Sequence, residues 1–347
     1  MHITLLGFGY WGQKLARTIV GIPDMELQMI CDPNPSLLAR AAYEYPTIKV
    51  QENWDCAADH SEAVVIATPP PSHYSLALAA LRSNKHVLIE KPTTLRREQT
   101  EHLLRVAKAR DRILLTDYTF LHHSSIHQLR RSLGELEFGN LRRITSRRLN
   151  LGKFQRSVNV LYDLAAHDVA LALYLYGELP LAVQCIGSSS QADLNVLDTV
   201  YVHFFFAEGR TYHAEVSWLW REKVRTLTAV CDRGVLEFDD VLPSGKLRAT
   251  VPVRVQAQSD TFIYENGRTF AFPDEDADAL THLFQDFRSL QHDRSKRAGQ
   301  WDFEGQVNWV LATAQQSLNS NGQRLELQDF MSRSVPIVSP SVAPNNA

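Results

Sequence analysis

The hexapeptide Gly7-Phe8-Gly9-Tyr10-Trp11-Gly12 sets three glycines in a GxGxxG pattern, directly after an apolar run and at the opening of a helical one. In that setting each glycine has a physical task. Gly7 permits a tight turn, Gly9 lets backbone approach a pyrophosphate, and Gly12 lets the helix pack close to the strand. The helix N-terminus adds unpaired N–H groups and the positive end of the helix dipole. Asp32 ends the next apolar run about twenty positions further on, where a carboxylate accepts from the adenosine ribose hydroxyls and repels a 2′-phosphate. The pattern predicts a dinucleotide site that takes NAD in preference to NADP. A glycine turn serving another ligand is the plainer alternative.

Two further apolar runs end in Ala67-Thr68-Pro69-Pro70 and Glu90-Lys91-Pro92. Ligands of open α/β sheets bind at the carboxyl ends of the strands. Thr68, Pro69, Glu90 and Lys91 are therefore expected at the cofactor, with His73 just beyond the prolines and Lys91 at the nicotinamide end. A rigid proline turn and an exposed lysine are the bland readings. Asp163 and His167 stand four apart in a helical pattern, on one face and one turn apart. An imidazole there suits proton transfer near neutrality, although a core histidine with a local carboxylate partner fits the spacing too. His123 and His127 are also four apart, with His122 beside them, but no HExxH glutamate accompanies them, and no metal is expected. Arg142, Arg143, Arg147, Arg148, Lys153 and Arg156 form a basic stretch. It reads as a solvated strand edge or as a site for a substrate diphosphate or carboxylate, whose oxygens match arginine forks.

The elements that must carry these residues are of two textures. Up to about residue 119, short apolar runs without alternation repeat with helical segments, as a parallel sheet covered on both faces requires. Within this stretch Ser36 and Ser72 are the expected helix caps. Beyond residue 120 the strands follow one another, and residues 212–220 alternate apolar Tyr212, Ala214, Val216, Trp218 and Trp220 with other side chains, the period of a half-buried antiparallel strand. The expected fold class is α/β, with a Rossmann domain over residues 1–119 and an α+β domain with an open antiparallel sheet over 120–330. Helical segments near 277–290 and 306–318 are expected to close the second domain, and residues 335–347 to form a disordered tail. The 36 basic and 39 acidic side chains nearly balance, which argues against a nucleic-acid scaffold. Cys31, Cys56, Cys185 and Cys231 lie far apart without a CxxC pair, so neither a disulfide framework nor a zinc knuckle is indicated. The chain enters a strand-like run at once, and its longest apolar stretch falls far short of the roughly 20 residues that span a bilayer. A cytoplasmic protein without membrane or nucleic-acid partners is expected.

Taken together, Gly7 to Gly12, Ala67 to Pro69, Glu90-Lys91-Pro92 and Asp163-xxx-His167 resemble the glucose–fructose oxidoreductase / inositol dehydrogenase family (Gfo/Idh/MocA). The residues 148–152 (Arg-Leu-Asn-Leu-Gly), 159–168 and Ser217-Trp218-Leu219 are similar to a branch that contains nucleotide-sugar 3-dehydrogenases. The chain departs from many relatives at Ala166, at Ser83-Asn84 and at Trp220-Arg221. The resemblance implies NAD(P)-dependent oxidation or reduction at a sugar hydroxyl carbon, with Lys91, Asp163 and His167 as the catalytic set. It implies Gly7, Phe8, Gly9, Tyr10, Trp11, Gly12, Asp32, Thr68, Pro69, His73, Glu90 and Lys91 at the cofactor, and Lys91, Arg148, Asn150, Asn159, Asp163 and His167 at the substrate. His167 would take the hydroxyl proton, Lys91 would hydrogen-bond the reacting oxygen, and Asp163 would position the substrate or His167; which of Lys91 and His167 is the formal base stays open. A nucleotide sugar is the expected substrate, with an inositol or free aldose as one alternative and a non-catalytic NAD-binding module as another. A homodimer or homotetramer is expected.

Overall fold

The unalternated apolar runs near the N-terminus become parallel strands. In the computed structural model, which describes residues 1–56, 58–152, 158–190, 196–258, 260–274 and 278–327, the chain divides into two units. The first is Met1–Thr119 with Asp278–Trp309, and the second is Phe120–Ala277 with the described residues from Val310 to Leu327. Along the first unit run β1 (His2–Leu6), α1 (Tyr10–Gly21), β2 (Glu26–Cys31), α2 (Pro35–Glu44), β3 (Lys49–Gln51), β4 (Ala63–Ile66), α3 (Pro70–Arg82), β5 (His86–Glu90), α4 (Arg97–Arg110) and β6 (Leu114–Asp117). The sheet order is β3-β2-β1-β4-β5-β6, parallel throughout, the doubly wound order that reverses between β1 and β4. Ile3, Leu5, Ala63, Val65 and Leu88 face one apolar layer with Leu15 and Ile19 of α1. Val64, Ile66, Val87 and Ile89 face the other, with Leu81 of α3 and Leu103 of α4. A strand buried on both faces has no polar positions to alternate, which is why these runs are apolar throughout.

Two helix starts differ from the sequence expectation. Asn34, not Ser36, caps α2, its side chain accepting the Ser36 N–H at 3.0 Å. Pro35 takes the first helical position, where its fixed φ and missing N–H cost nothing. For the same reason α3 begins at Pro70, ahead of Ser72, and has no side-chain cap.

In the second unit, α5 (Ser124–Ser132), β7 (Leu141–Leu151), a π turn (Leu161–Ala165), α6 (Ala166–Tyr176), β8 (Ala182–Ser188), β9 (Thr199–Phe205), β10 (Thr211–Ser217), β11 (Leu219–Cys231), β12 (Val235–Asp239), β13 (Leu247–Gln258) and β14 (Thr261–Ala271) follow in order. With β15 (Leu325–Glu326) they make a nine-stranded sheet, β14-β13-β12-β11-β7-β10-β9-β8-β15. It is mixed and mostly antiparallel. The exception is the parallel pair β7/β10, whose long connection through α6, β8 and β9 provides the crossover that parallel neighbours need. The alternation read from residue 212 holds through β10, where Tyr212, Ala214 and Val216 are buried. It breaks after Trp218, between two strands, so Trp220 is exposed rather than inward-facing. The α6 helix ends at Gly177, which adopts φ +69°.

The last two helices do not simply close the second unit. α7 (Ala279–His292) is capped by Asp278, whose side chain accepts the Thr281 N–H at 2.7 Å. Its Leu283, Phe284, Phe287 and Leu290 join the apolar layer of α1 and β1. α8 (Arg297–Asn319) counts with the first unit as far as Trp309. The expected tail at 335–347 lies outside the described residues.

Candidate active site

The glycine turn is shaped by contacts that leave no room for side chains. Gly7 adopts φ +92°, and a Cβ there would stand 2.5 Å from the Ala67 carbonyl oxygen. A Cβ on Gly12 would come within 2.0 Å of the Gly7 oxygen. Gly9 differs: a Cβ there would meet nothing within 4 Å among the described residues, so its bareness serves something other than their packing. Gly9 is also the N-cap of α1 and supplies no side-chain cap bond, which leaves first-turn N–H groups for a ligand. Asp32, buried at the end of β2, is tied into the same turn. Its Oδ2 accepts the Phe8 N–H at 2.7 Å and its Oδ1 the Asn34 N–H at 2.8 Å. Tyr10 is exposed, and the Lys14 ammonium lies 4.6 Å from the ring centres of both Tyr10 and Trp11. An open cradle, a helix N-terminus without a side-chain cap and an oriented carboxylate fit a dinucleotide.

Thr68, Pro69, Glu90 and Lys91 lie at the carboxyl ends of β4 and β5, neighbouring strands of that sheet. His73 is expected at the cofactor, but it is completely buried. Its Nδ1 lies 2.9 Å from the Pro92 oxygen and its Nε2 2.8 Å from the Thr68 oxygen. Burial holds its pKa below the ordinary value, and a neutral ring donates to only one of the two carbonyls. His73 thus braces the segments that carry Thr68 and Lys91. The Lys91 N–H donates to Glu90 Oε2 at 3.2 Å. Burial pushes the Glu90 carboxyl well above the carboxylate range, and the charge of Asp117 adds to the effect.

In the second unit Asp163 belongs to the π turn and His167 to the first turn of α6, so they do not share a plain α-helical face. A one-turn π insertion is a feature that recurs at functional sites. Asp163 Oδ2 accepts the Trp218 indole N–H at 2.7 Å, and the His167 ring meets Phe120 edge-on at 5.3 Å. Asn159 holds the turn itself: its Oδ1 accepts the Tyr162 N–H at 3.2 Å and its Nδ2 donates to Gln315 at 2.8 Å. Asn150 lies near the end of β7, its side chain against Gly152.

Arg148 departs most from expectation. It is buried, its Nε donates to Asp168 at 3.1 Å, and its guanidinium lies 4.0 Å from the Phe120 ring centre. Asp168, wholly buried, also accepts from Ser146 Oγ at 2.8 Å and from Tyr212 OH at 3.3 Å. A guanidinium already neutralised by a buried carboxylate is a poor partner for a substrate phosphate. Arg142 pairs with Asp232, and Arg147 with Glu215, so this much of the basic stretch is a paired strand edge; Lys153 and Arg156 lie outside the described residues. His123 caps α5 by accepting the Ser125 N–H, and His127 Nε2 lies 2.5 Å from the Leu121 oxygen. Among the described residues no group of three His, Cys, Asp or Glu is placed to hold a metal, and no helix is long and apolar enough to cross a membrane.

Residues 1–118 match the family model described as an oxidoreductase family with an NAD-binding Rossmann fold, and residues 126–237 match the C-terminal domain of the same Gfo/Idh/MocA family. The chain belongs to this family. Its first unit is thereby an NAD-binding Rossmann domain. The chain is 28% identical over 208 residues to the UDP-N-acetylglucosamine 3-dehydrogenase of Acidithiobacillus ferrooxidans, across 58% of this chain and 63% of that one. It is 28% identical over 185 residues to the inositol 2-dehydrogenase of Rhizobium meliloti, across 52% and 56%. The aligned part is thus between half and two thirds of those relatives. The solved structure of the Acidithiobacillus enzyme, 23% identical, shares the fold with a TM-score of 0.76 over 93% of this chain and 99% of that one. So does GenD2 from gentamicin A biosynthesis in complex with NAD, 19% identical, TM-score 0.77, over 94% and 96%.

Asp168, which holds Arg148, is not among the expected site residues, although it stands next to His167 in the motif.

Proposed function

We propose that this protein is an NAD-dependent dehydrogenase that oxidises a hydroxyl-bearing carbon of a sugar, a nucleotide sugar first among them. The observation that carries the proposal is the open Gly9 cradle beside the Asp32 carboxylate, with Lys91 at the same sheet edge and the π turn setting Asp163 ahead of His167. The similarity to a UDP-N-acetylglucosamine 3-dehydrogenase supports the substrate class. Bound NAD supplies the hydride acceptor. His167 takes the hydroxyl proton, Lys91 donates a hydrogen bond to the oxygen as negative charge develops on it, and Asp163, fixed by Trp218, sets the local geometry. Assembly as a homodimer or homotetramer belongs to the same proposal and is read by light scattering.

The pairing of Arg148 with Asp168 removes one cation from any diphosphate site, and this favours the second reading, an inositol or a free aldose. Incubation with NAD and a panel of UDP-sugars, free aldoses and inositols, followed by absorbance of the reduced nicotinamide, separates the two. Lys91→Ala is expected to lower turnover by about 10²–10³-fold while NAD still binds. Undiminished turnover would take Lys91 out of the mechanism. Failure of every sugar class with NAD bound would make the protein a non-catalytic NAD-binding module.

A further inference from the structure

Two acids stand side by side where β5 and β6 end. Glu90 and Asp117 are register partners of neighbouring parallel strands, which puts their side chains on one face, and the charge of Asp117 acts on the Glu90 carboxyl. Both Asp117 oxygens already accept donors: Oδ2 the Trp11 indole N–H at 3.0 Å, and Oδ1 the Thr119 hydroxyl at 2.7 Å. Glu90 Oε2 accepts the Lys91 N–H at 3.2 Å. Glu90 Oε1 is buried and, among the described residues, receives no N–H or O–H donor. Two like charges on neighbouring strand positions, with Asp117 and the Glu90 Oε1 atom buried, oppose each other's ionisation. Donors that stabilise a carboxylate converge on Asp117, whereas the orphaned oxygen belongs to Glu90. The missing partner is a proton.

We propose that Glu90 and Asp117 share one proton at neutral pH, resident on Glu90, and that Trp11 couples this proton to the glycine turn that receives the dinucleotide. The proposal rests on the cofactor role of that turn and on no particular substrate. The charged groups acting on Glu90 are Asp117 from β6 and Lys91 from the end of its own strand; Asp117 opposes ionisation and Lys91 favours it. With the proton in place the pair carries one negative charge. Without it the pair carries two, next to the first turn of a helix whose N–H groups are to hold an anionic pyrophosphate. Dinucleotide affinity should therefore fall as pH rises through the titration of the pair.

The Trp11 indole N–H is the reporter. In the ¹⁵N-labelled full chain its resonance is identified among those of the six tryptophans by its loss in Trp11→Phe. It should move in a single step with a midpoint above the ordinary carboxylate range, and Glu90→Gln should abolish that step. A resonance that stays still between about pH 5 and pH 9, or one that titrates unchanged in Glu90→Gln, overturns the shared proton. If Glu90→Gln does not fold, infrared spectra of the wild-type protein decide: the C=O stretch of a protonated carboxylic acid should be present at neutral pH and vanish over the same step, and its absence overturns the assignment. NADH affinity, followed by fluorescence, should fall about threefold across that step, about 0.7 kcal/mol; an affinity flat with pH overturns the coupling to the turn. No sugar enters these measurements, so their failure leaves the dehydrogenase reading standing, and the failure of every sugar leaves the proton assignment untouched.

Discussion

The six-stranded sheet of the first unit is covered on both faces, and its candidate site is built largely from backbone: a turn at positive φ, helix N–H groups, and carbonyls braced by His73. The nine-stranded sheet of the second unit alternates buried and exposed positions, and its candidate site leans on buried polar side chains, Asp168 with Arg148, Ser146 and Tyr212. Position is held in the first unit by conformation and in the second by charge. Substitutions should therefore fail differently in the two. Glycine changes in the first act through space, and charge changes in the second act through an uncompensated partner.

The largest stability effect is expected at Asp168. A buried ion pair is weak evidence of net stabilisation, but removing one partner leaves the other charged and desolvated, at about 3–5 kcal/mol. Asp168→Ala should shift the denaturant midpoint by that amount, and the double variant Asp168→Leu/Arg148→Met should recover most of it. A loss below about 1 kcal/mol would mean that water reaches Arg148, and the contrast between the units would fail. Next comes Gly12→Ala. The added Cβ meets backbone 2.0 Å away, which cannot swing aside as a side chain would, so a loss of about 3 kcal/mol is expected. NADH binding should fall with it, since the turn itself must move.

The third effect depends on pH. Glu304 of α8 is buried, its Oε1 accepting the Thr116 N–H at 2.9 Å and the Gln300 amide at 3.1 Å. Burial raises its pKa from 4.5 to about 7. Between these values the folded protein keeps a proton that the unfolded chain has lost. Stability therefore falls as pH rises through this window and levels off above it, by up to about 3 kcal/mol. Glu304→Gln keeps the shape and removes the titration, so melting temperatures should become flatter over the window. Glu90, raised in the same direction, should leave a residual slope. A wild-type protein equally stable at both ends would show that the carboxylate is solvated.

What could be read from the sequence follows the same division. The glycine turn, Asp32 and the order of strands and helices in the first unit were legible because backbone geometry demands particular residue types at fixed local spacing. The burial of His73 had no local sign because its partners, Thr68 and Pro92, are carbonyls, which every residue has. Arg148 looked like a phosphate ligand because nothing local to it reveals Asp168, twenty residues on. The Asp163–His167 spacing promised a helical face that a π turn replaces. β13 contains Pro252, a residue type that argues against an interior strand, so its sequence does not announce it. α7 has an ordinary apolar stripe, which does not say that its mate is the α1 layer more than 250 residues earlier.

The smallest stability effect should fall at Gly9, and it tests the contrast most sharply. A methyl group there meets no atom of the described residues within 4 Å, and the residue keeps φ −66°, an angle any residue adopts. Gly9→Ala should thus leave the melting temperature within the range of about 0.5 kcal/mol that neutral surface changes show. The same methyl group would occupy the space through which a pyrophosphate approaches the backbone, so NADH affinity should drop about tenfold or more, about 1.4 kcal/mol. Gly12→Ala couples lost binding to lost stability, and Gly9→Ala should separate them. If Gly9→Ala bound NADH as well as the wild-type protein, the dinucleotide would have to lie elsewhere along the sheet edge, and the glycine would be a relic of helix entry alone.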